Sequence, residues 1–348
     1  MIGLGGVGQR HVRNLRSLLG DDADIIAYRV RGLPHLLTPE LSIASSGDVE
    51  TRYGIRSFSD LDEALAEKPD VAFIANPSSM HVEAATACAR AGCDLFVEKP
   101  LSDSTAGLDA LIELVEERRL VAMVGYQLRF HPAVVGLFEL VRSGALGQLL
   151  SVRATVGEYL PNWHRYEDYR EMYAARAALG GGVILSQIHE FDYLSWMFGP
   201  PSRLFALGGH WSDLHIDVED TASILMQCTY SGRPLPVHLL QDYLQRPSSR
   251  SCEVVGDRGK AVLDLVELSL TSWDAEGTPA VRQFARFERN QLFLDEIAHF
   301  LHCVTTRERP RVDLRAGRES LRTALAAKEA IRTNEIVVLD REAVPRAV

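Results

Sequence analysis

Over the first 125 residues, short apolar runs alternate with segments of helical periodicity. The runs at 25–30, 71–75, 95–97 and 121–124 read as buried strands, and the stretches 61–67, 81–91 and 104–119 carry apolar residues at helical spacing. A further helix is predicted from the first glycines to about Leu19. This alternation predicts a parallel sheet with helices on both faces. After a helix opened by His131-Pro132 the pattern changes. Segments 148–159, 203–210, 220–229, 235–243, 251–255 and 261–265 read as strands in near succession, which predicts a largely antiparallel sheet. Gly180-Gly181-Gly182 leads into a helix predicted over 183–198 and stopped by Gly199-Pro200. Helices at 290–305 and 314–333 and a short strand at 336–339 close the chain.

A chain of 348 residues exceeds what one core usually serves, so two domains are expected. The pattern divides it into an α/β dinucleotide-binding domain with a parallel sheet (1–125), an α+β substrate and oligomerisation domain with a large, mostly antiparallel open sheet (126–335), and a terminal strand and tail (336–348). An open sheet face often finds a partner, so a homodimer or homotetramer is expected. Net charge of −10 and the lack of a basic run argue against nucleic acid. No apolar run approaches the ~18 residues needed to cross a bilayer, and no secretory leader is evident, so a cytoplasmic protein without membrane association is expected. Five scattered cysteines without a C-x-x-C pair fit reduced thiols. His299, His302 and Cys303 sit in an amphipathic stretch without further ligands in view, so no metal site is expected.

The chemistry begins at Gly3-Leu4-Gly5-Gly6-Val7-Gly8. Gly3 permits a tight turn, Gly5 lets backbone approach a pyrophosphate, and Gly8 lets the next helix pack closely, with the helix N-terminus aimed at the anion. Only Met1 and Ile2 precede Gly3, so the first strand is expected to be stunted or its start truncated. About 20 residues on, where a ribose contact belongs, the second strand ends Tyr28-Arg29-Val30-Arg31. Two arginines and no carboxylate suit a 2′-phosphate, which favours NADP and leaves NAD possible; solvated or adenine-stacking arginines are the alternative. Ligands of open parallel sheets gather at strand ends. There the sequence supplies Asn76, Pro77 and His81 after one strand, which also read as a helix-capping loop, and Glu98-Lys99-Pro100 after the next. An ammonium at the end of a buried strand suits orienting a substrate hydroxyl.

In the second half, Ser186, His189 and Asp192 recur at spacings of three and are expected to line one face of the 183–198 helix, with His189 as general base. Between residues 159 and 173 lies a dense aromatic and arginine stretch that includes Trp163, Tyr166 and Arg170. It suits sugar stacking and anion clamping, and equally a subunit interface.

With these residues assembled, the chain closely resembles the Gfo/Idh/MocA family of NAD(P)-dependent oxidoreductases, which includes glucose–fructose oxidoreductase and inositol dehydrogenase. The resemblance runs through residues 3–15, 76–81, 98–101, 125–132, 180–199 and 314–339. It implies a Rossmann domain, a catalytic Lys99 before a cis Pro100, and a catalytic His189 that takes the hydroxyl proton while hydride passes between nicotinamide and the carbon of a sugar, cyclitol or nucleotide sugar. Tyr126 and Arg129, within the 125–132 stretch, join Trp163, Tyr166, Arg170, Ser186 and Asp192 as expected substrate-side residues. Family members often carry an aspartate where this chain has Ser186, a departure that touches the proton relay and that Asp192 is expected to offset. A relative-like NAD-dependent glycosidase without net redox change and a non-catalytic cofactor sensor are the alternatives.

Overall fold

The apolar runs of the first hundred residues become the strands of a parallel sheet. The computed structural model describes residues 1–30, 35–38, 42–44 and 47–339. Its first compact unit comprises Met1–Gln127, Trp163–Gly181 and Glu288–Arg318. In chain order this unit holds α1 (Gly6–Leu19), β1 (Ile26–Tyr28), α2 (Val49–Tyr53), β2 (Arg56–Phe58), α3 (Leu61–Ala66), β3 (Val71–Ile74), α4 (His81–Ala91), β4 (Asp94–Glu98), α5 (Leu108–Glu117) and β5 (Ala122–Gly125). The expected short first strand is a single residue: Ile2 bridges in parallel to Tyr28 on one side and Ile74 on the other. Its amide donates to Phe73 O (2.8 Å), and its carbonyl accepts from Ala75 N (2.8 Å). The rim order is therefore β2-β1-Ile2-β3-β4-β5, that of a doubly wound dinucleotide fold. β4 is buried along its whole length, as a central parallel strand requires. The helix predicted from 104 begins only at Leu108, because Gly107 ahead of it adopts φ 74.

The second unit comprises Leu128–Asn162, Gly182–Phe287 and Glu319–Val348. It contains α6 (Pro132–Arg142), β6 (Leu149–Gly157), α7 (Val183–Ser186), α8 (His189–Phe198), β7 (Arg203–Gly209), β8 (Thr221–Tyr230), β9 (Arg233–Asp242), β10 (Ser249–Gly256), β11 (Gly259–Asp264), β12 (Ser269–Trp273) and β13 (Pro279–Gln283). After these come α9 (Arg289–Thr306) in the first unit, α10 (Leu314–Thr333), and β14 (Val337–Val338) in the second. One nine-stranded sheet runs β13-β12-β11-β10-β6-β9-β8-β7-β14. It is antiparallel except where β6 pairs in parallel with β9. The hairpin strands β12 and β13, and β2 in the first unit, were not foreseen from the sequence; β13 is exposed throughout, so it carries no buried apolar alternation to read. Along β8, Ala222, Ile224, Met226 and Cys228 are buried while Leu225 is 55% exposed, the two-faced pattern of an open sheet. Among the described residues no helix is long and apolar enough to cross a membrane.

The helix predicted over 183–198 is two helices. Gln187 leaves helical geometry (φ −102, ψ 36). Its side-chain amide donates to Asp242 O (3.0 Å) and its main-chain carbonyl accepts from the Gln241 side chain (2.8 Å), so β9 holds that peptide away from the helix. Apolar periodicity is continuous across this break and does not betray it.

Candidate functional site

The glycine turn is a cradle in which each glycine has a different reason to lack a side chain. A Cβ on Gly3, which has φ +90, would lie 2.9 Å from Ala75 O, and one on Gly8 would lie 2.4 Å from Gly3 O. A Cβ on Gly5 would meet nothing within 4 Å. The first and third glycines are thus required by packing, and the second leaves backbone open to an approaching group. Gly6 and Val7 open α1, whose N-cap Gly5 supplies no side-chain cap, so the helix presents its first amides uncovered by a side chain. These features fit a pyrophosphate. Gln9, which the sequence reading passed over, ties the following loop to the turn: its amide donates to Leu4 O (3.2 Å) and His35 O (2.9 Å), and its carbonyl accepts from Leu37 N (2.8 Å).

At the end of β1, Arg29 forms an ion pair with Glu50, whose carboxylate also accepts from the Ser57 hydroxyl (2.9 Å). The carboxylate absent from the strand end in sequence is thus brought there from α2. Arg31 lies outside the described residues.

The next two strand ends are stapled together. His81, fully enclosed, places Nδ1 2.8 Å from Pro100 O and Nε2 2.8 Å from Asn76 O, so one ring ties the loop after β3 to the loop after β4. Burial holds the His81 pKa below its ordinary range, against the pull of the two carbonyls and of Glu98 and Asp103. Both ring nitrogens of His81, expected among the cofactor-binding residues, lie against main-chain carbonyls. Pro77 precedes a 3-10 turn over Ser78–Met80, and Asn76 directs its side-chain amide at Met80 O (3.5 Å) while its Oδ1 is buried without a hydrogen-bond partner. The Lys99–Pro100 peptide is cis. Glu98 is buried and paired with His11, which the sequence reading also missed. Tyr126, just past β5, is wholly buried.

The triglycine run is not a flexible entry. A Cβ on Gly180 would lie 2.9 Å from Ser78 Cβ and Asp103 Cβ, and one on Gly181 would lie 2.3 Å from Tyr173 O. On Gly182, with φ +106, it would lie 2.3 Å from Glu219 Oε1. Glu219 caps α7, its carbonyl accepting from Val183 N (3.0 Å) and its carboxylate from Ile184 N (3.3 Å), and is itself held by Lys328 Nζ (3.0 Å). His189 is the first residue of α8 and is 5% exposed; Ser186, 4% exposed, ends α7. The break at Gln187 takes Ser186 off the His189 helix.

Asp192 is held in a buried ion pair. Its carboxylate receives Arg129 in two bonds (2.8 and 2.7 Å), with the Ser320 hydroxyl 3.3 Å away, and the pair is nearly closed to solvent. Arg129 lies 5.1 Å over the Trp196 ring. Both residues, expected on the substrate side, pair with each other, because a buried carboxylate needs a matching donor. The adjacent Glu190 is likewise buried against Arg250 (2.8 and 3.0 Å). No spacing rule announces either pair, whose partners lie about 60 residues apart.

In the aromatic stretch, Arg170 is exposed and chelated by Asp168 of its own turn. Trp163 is half-buried. Tyr166 is half-buried, and burial raises its phenol well above the ordinary range while Arg10 opposes the rise. Arg10 stacks on Phe293 at 4.5 Å, its own pKa pushed down to about 10 by burial and by Arg289 and Arg13. No group of three or more metal-ligand side chains occurs among the described residues.

Comparison with known proteins adds the following. The model of a family described as an oxidoreductase family with an NAD-binding Rossmann fold matches residues 1–126, and that of the GFO/IDH/MocA C-terminal domain matches residues 135–262. Myo-inositol 2-dehydrogenase of Thermotoga maritima is 28% identical over 357 residues, covering 98% of this chain and 98% of that protein. Among solved structures, myo-inositol 2-dehydrogenase of Lactobacillus plantarum superposes with a TM-score of 0.78 at 20% identity, over 97% of this chain and 98% of that one. The WlbA dehydrogenase of Bordetella pertussis, solved in complex with NADH and UDP-GlcNAcA, gives a TM-score of 0.77 at 21% identity over 98% of each chain. These structural likenesses establish the shared fold.

Proposed function

Because the chain belongs to the GFO/IDH/MocA family of oxidoreductases, we propose that it moves hydride between a nicotinamide dinucleotide and a secondary alcohol or ketone carbon of a sugar, cyclitol or nucleotide sugar. The observation that carries this reading is the cradle: an open Gly5 at an uncapped helix start, with Lys99 two strands away on the same rim. Gly3, Gly5, Gly6, Val7 and Gly8 would hold the pyrophosphate, and Asn76, Pro77 and Glu98–Lys99 line the neighbouring strand ends. When bound, the nicotinamide supplies the hydride acceptor or donor. Lys99 orients the substrate oxygen through its ammonium, and His189 takes the hydroxyl proton in oxidation and returns it in reduction. An absorbance screen of the nicotinamide against sugars, cyclitols and nucleotide sugars tests the reading. Reduction or oxidation of the cofactor with a member of that panel supports it, and silence across the panel with a folded, cofactor-binding protein counts against it.

NADP is proposed over NAD because Arg29 stands at the ribose end. The ion pair with Glu50 partly cancels its charge, so the preference expected is modest. A tenfold or greater preference for NAD in kcat/KM overturns it. We take residues 1–125 as the dinucleotide domain and 126–335 as the domain for substrate and assembly. A homodimer or homotetramer is proposed through the open sheet face, where Leu207 and Leu225 are 52% and 55% exposed. Light scattering that returns a monomer at micromolar concentration removes that proposal. Five buried, unpaired cysteines suit a reducing compartment such as the cytoplasm.

A further inference from the structure

We propose that Arg246, stacked on Tyr159 in the loop between β9 and β10, selects substrates that carry an anionic group, a carboxylate or a phosphate, on the sugar. The inference rests on the reading of His189 as the proton acceptor of a sugar dehydrogenase and deepens it by naming the charge of the substrate.

Three segments of the second unit meet at the end of β9. The carbonyl of Asp242, the last residue of that strand, accepts from the Gln187 side chain (3.0 Å) and from Glu158 N (3.2 Å). Its carboxylate accepts from Leu244 N (2.9 Å), Gln245 N (3.1 Å) and Gln245 Nε2 (2.6 Å). Gln187 lies two residues before His189, Glu158 one before Tyr159, and Gln245 one before Arg246. One buried aspartate therefore gathers His189, Tyr159 and Arg246 at one end of the sheet. The register agrees, since Gly157 of β6 pairs with Asp242 on one side and with Ser249 of β10 on the other. The loop also folds back on β6: a Cβ on Gly157 would collide with the Gln245 side chain. Glu190, the residue after His189, binds Arg250 at the far end of the same loop.

The Arg246 guanidinium carbon lies 3.9 Å from the centre of the Tyr159 ring, the spacing of stacked planes. Tyr159 is half-buried and Arg246 exposed, so the ring is the platform and the cation faces water. Among the described residues the guanidinium has no hydrogen bond and no ion pair. Neighbouring charges are already engaged. Glu190 and Arg250 neutralise each other, with Glu158 acting on both, and the Asp242 carboxylate is taken up by the amides of the loop. Stacking leaves the in-plane N–H donors of an arginine open, and that planar fork matches a carboxylate or phosphate in two parallel bonds. A sugar hydroxyl offers one oxygen and no charge, so it uses only part of the fork.

Calorimetric titration of the intact protein loaded with NADH or NADPH tests this, because an alcohol cannot pass hydride to the reduced dinucleotide and binding is read without turnover. Three probes share a glucose ring: glucose itself, glucuronate with a carboxylate, and UDP-glucose with phosphates. At least one charged probe is expected to bind about tenfold more tightly than glucose, the worth of hydrogen bonds to a charged group. Which of the two does so tells carboxylate from phosphate recognition. In Arg246→Gln that advantage over glucose is expected to fall by about tenfold, in Arg246→Glu to vanish or invert, and in Arg246→Lys to return in part. Thermal melts establish that each variant is folded. Glucose binding as tightly as both charged probes, binding by none of the three, or an advantage that survives in folded Arg246→Glu overturns the proposal. Failure of the dehydrogenase reading looks different: charged probes bind with an advantage that depends on Arg246, yet no sugar, charged or neutral, exchanges hydride with the dinucleotide.

Discussion

The two units secure their key side chains in opposite ways. In the first, Lys99 follows a strand, and the loop around it is pinned through main-chain groups: the Lys99 amide by Glu98 and the Pro100 carbonyl by His81. In the second, His189 begins a helix, and that helix is anchored by buried ion pairs, Asp192 with Arg129 and Glu190 with Arg250. Main-chain clamping holds a position whatever side chain occupies it. Ion-pair anchoring places the cost of failure on side chains, because removing one partner leaves a buried charge.

The sharpest break in this comparison is Lys99→Met. Turnover is expected to fall by about 10²- to 10⁴-fold while the melting temperature stays near the parent value, because the clamp uses the residue's main chain. Steady-state kinetics beside a thermal melt check both halves, and a large loss of stability would show that the side chain is structural. Arg129→Met tests the opposite design. It is expected to cost about 3–5 kcal/mol of stability by stranding Asp192, measured by denaturant unfolding, whereas Arg129→Met combined with Asp192→Leu recovers most of the loss. If the double variant is as unstable as the single one, the pair is not the anchor.

Acid should weaken the cap of α6 in the second unit. Burial, then Arg250, push His131 down to about 4, while its neutral Nδ1 accepts from Ala133 N (3.1 Å) and caps α6. A histidine whose folded pKa is depressed contributes stability that is present above its unfolded value near 6.5 and lost as pH falls toward 4. The loss is on the order of 3 kcal/mol at most. Melts between pH 7 and pH 4 should fall less steeply for His131→Asn, which can cap without titrating; equal slopes contradict the assignment. The smallest effect separates packing from binding inside the glycine turn. Gly5→Ala should leave the melt nearly unchanged, since nothing lies within 4 Å of the added carbon, yet weaken dinucleotide affinity by about tenfold by occupying the approach to the backbone. Cofactor titration by fluorescence with unaltered affinity would place the pyrophosphate elsewhere.

What was readable in sequence follows the reach of local rules. The glycine spacing, the strand–helix alternation and the position of Lys99 at a strand end are encoded within a few residues, and all three appear in the structure. The break at Gln187 was not readable, since it is made by Asp242 and Gln241 of β9 acting on a segment whose apolar period is continuous. Nor was the engagement of Asp192. At i+3 from His189 it read as a relay partner, and only Arg129, brought in from before α6, shows where its charge is used.

By itself the sequence determined a doubly wound first half, an antiparallel second half and the residue types available for chemistry, because hydrophobic period and turn stereochemistry act over neighbours in the chain. Tertiary structure alone decided which charges cancel one another and which remain to work: Arg29 with Glu50, Arg129 with Asp192, Glu98 with His11. Coulomb attraction and desolvation depend on distance in space, and a chain that folds back over 20 to 90 residues sets those distances only once its core has formed.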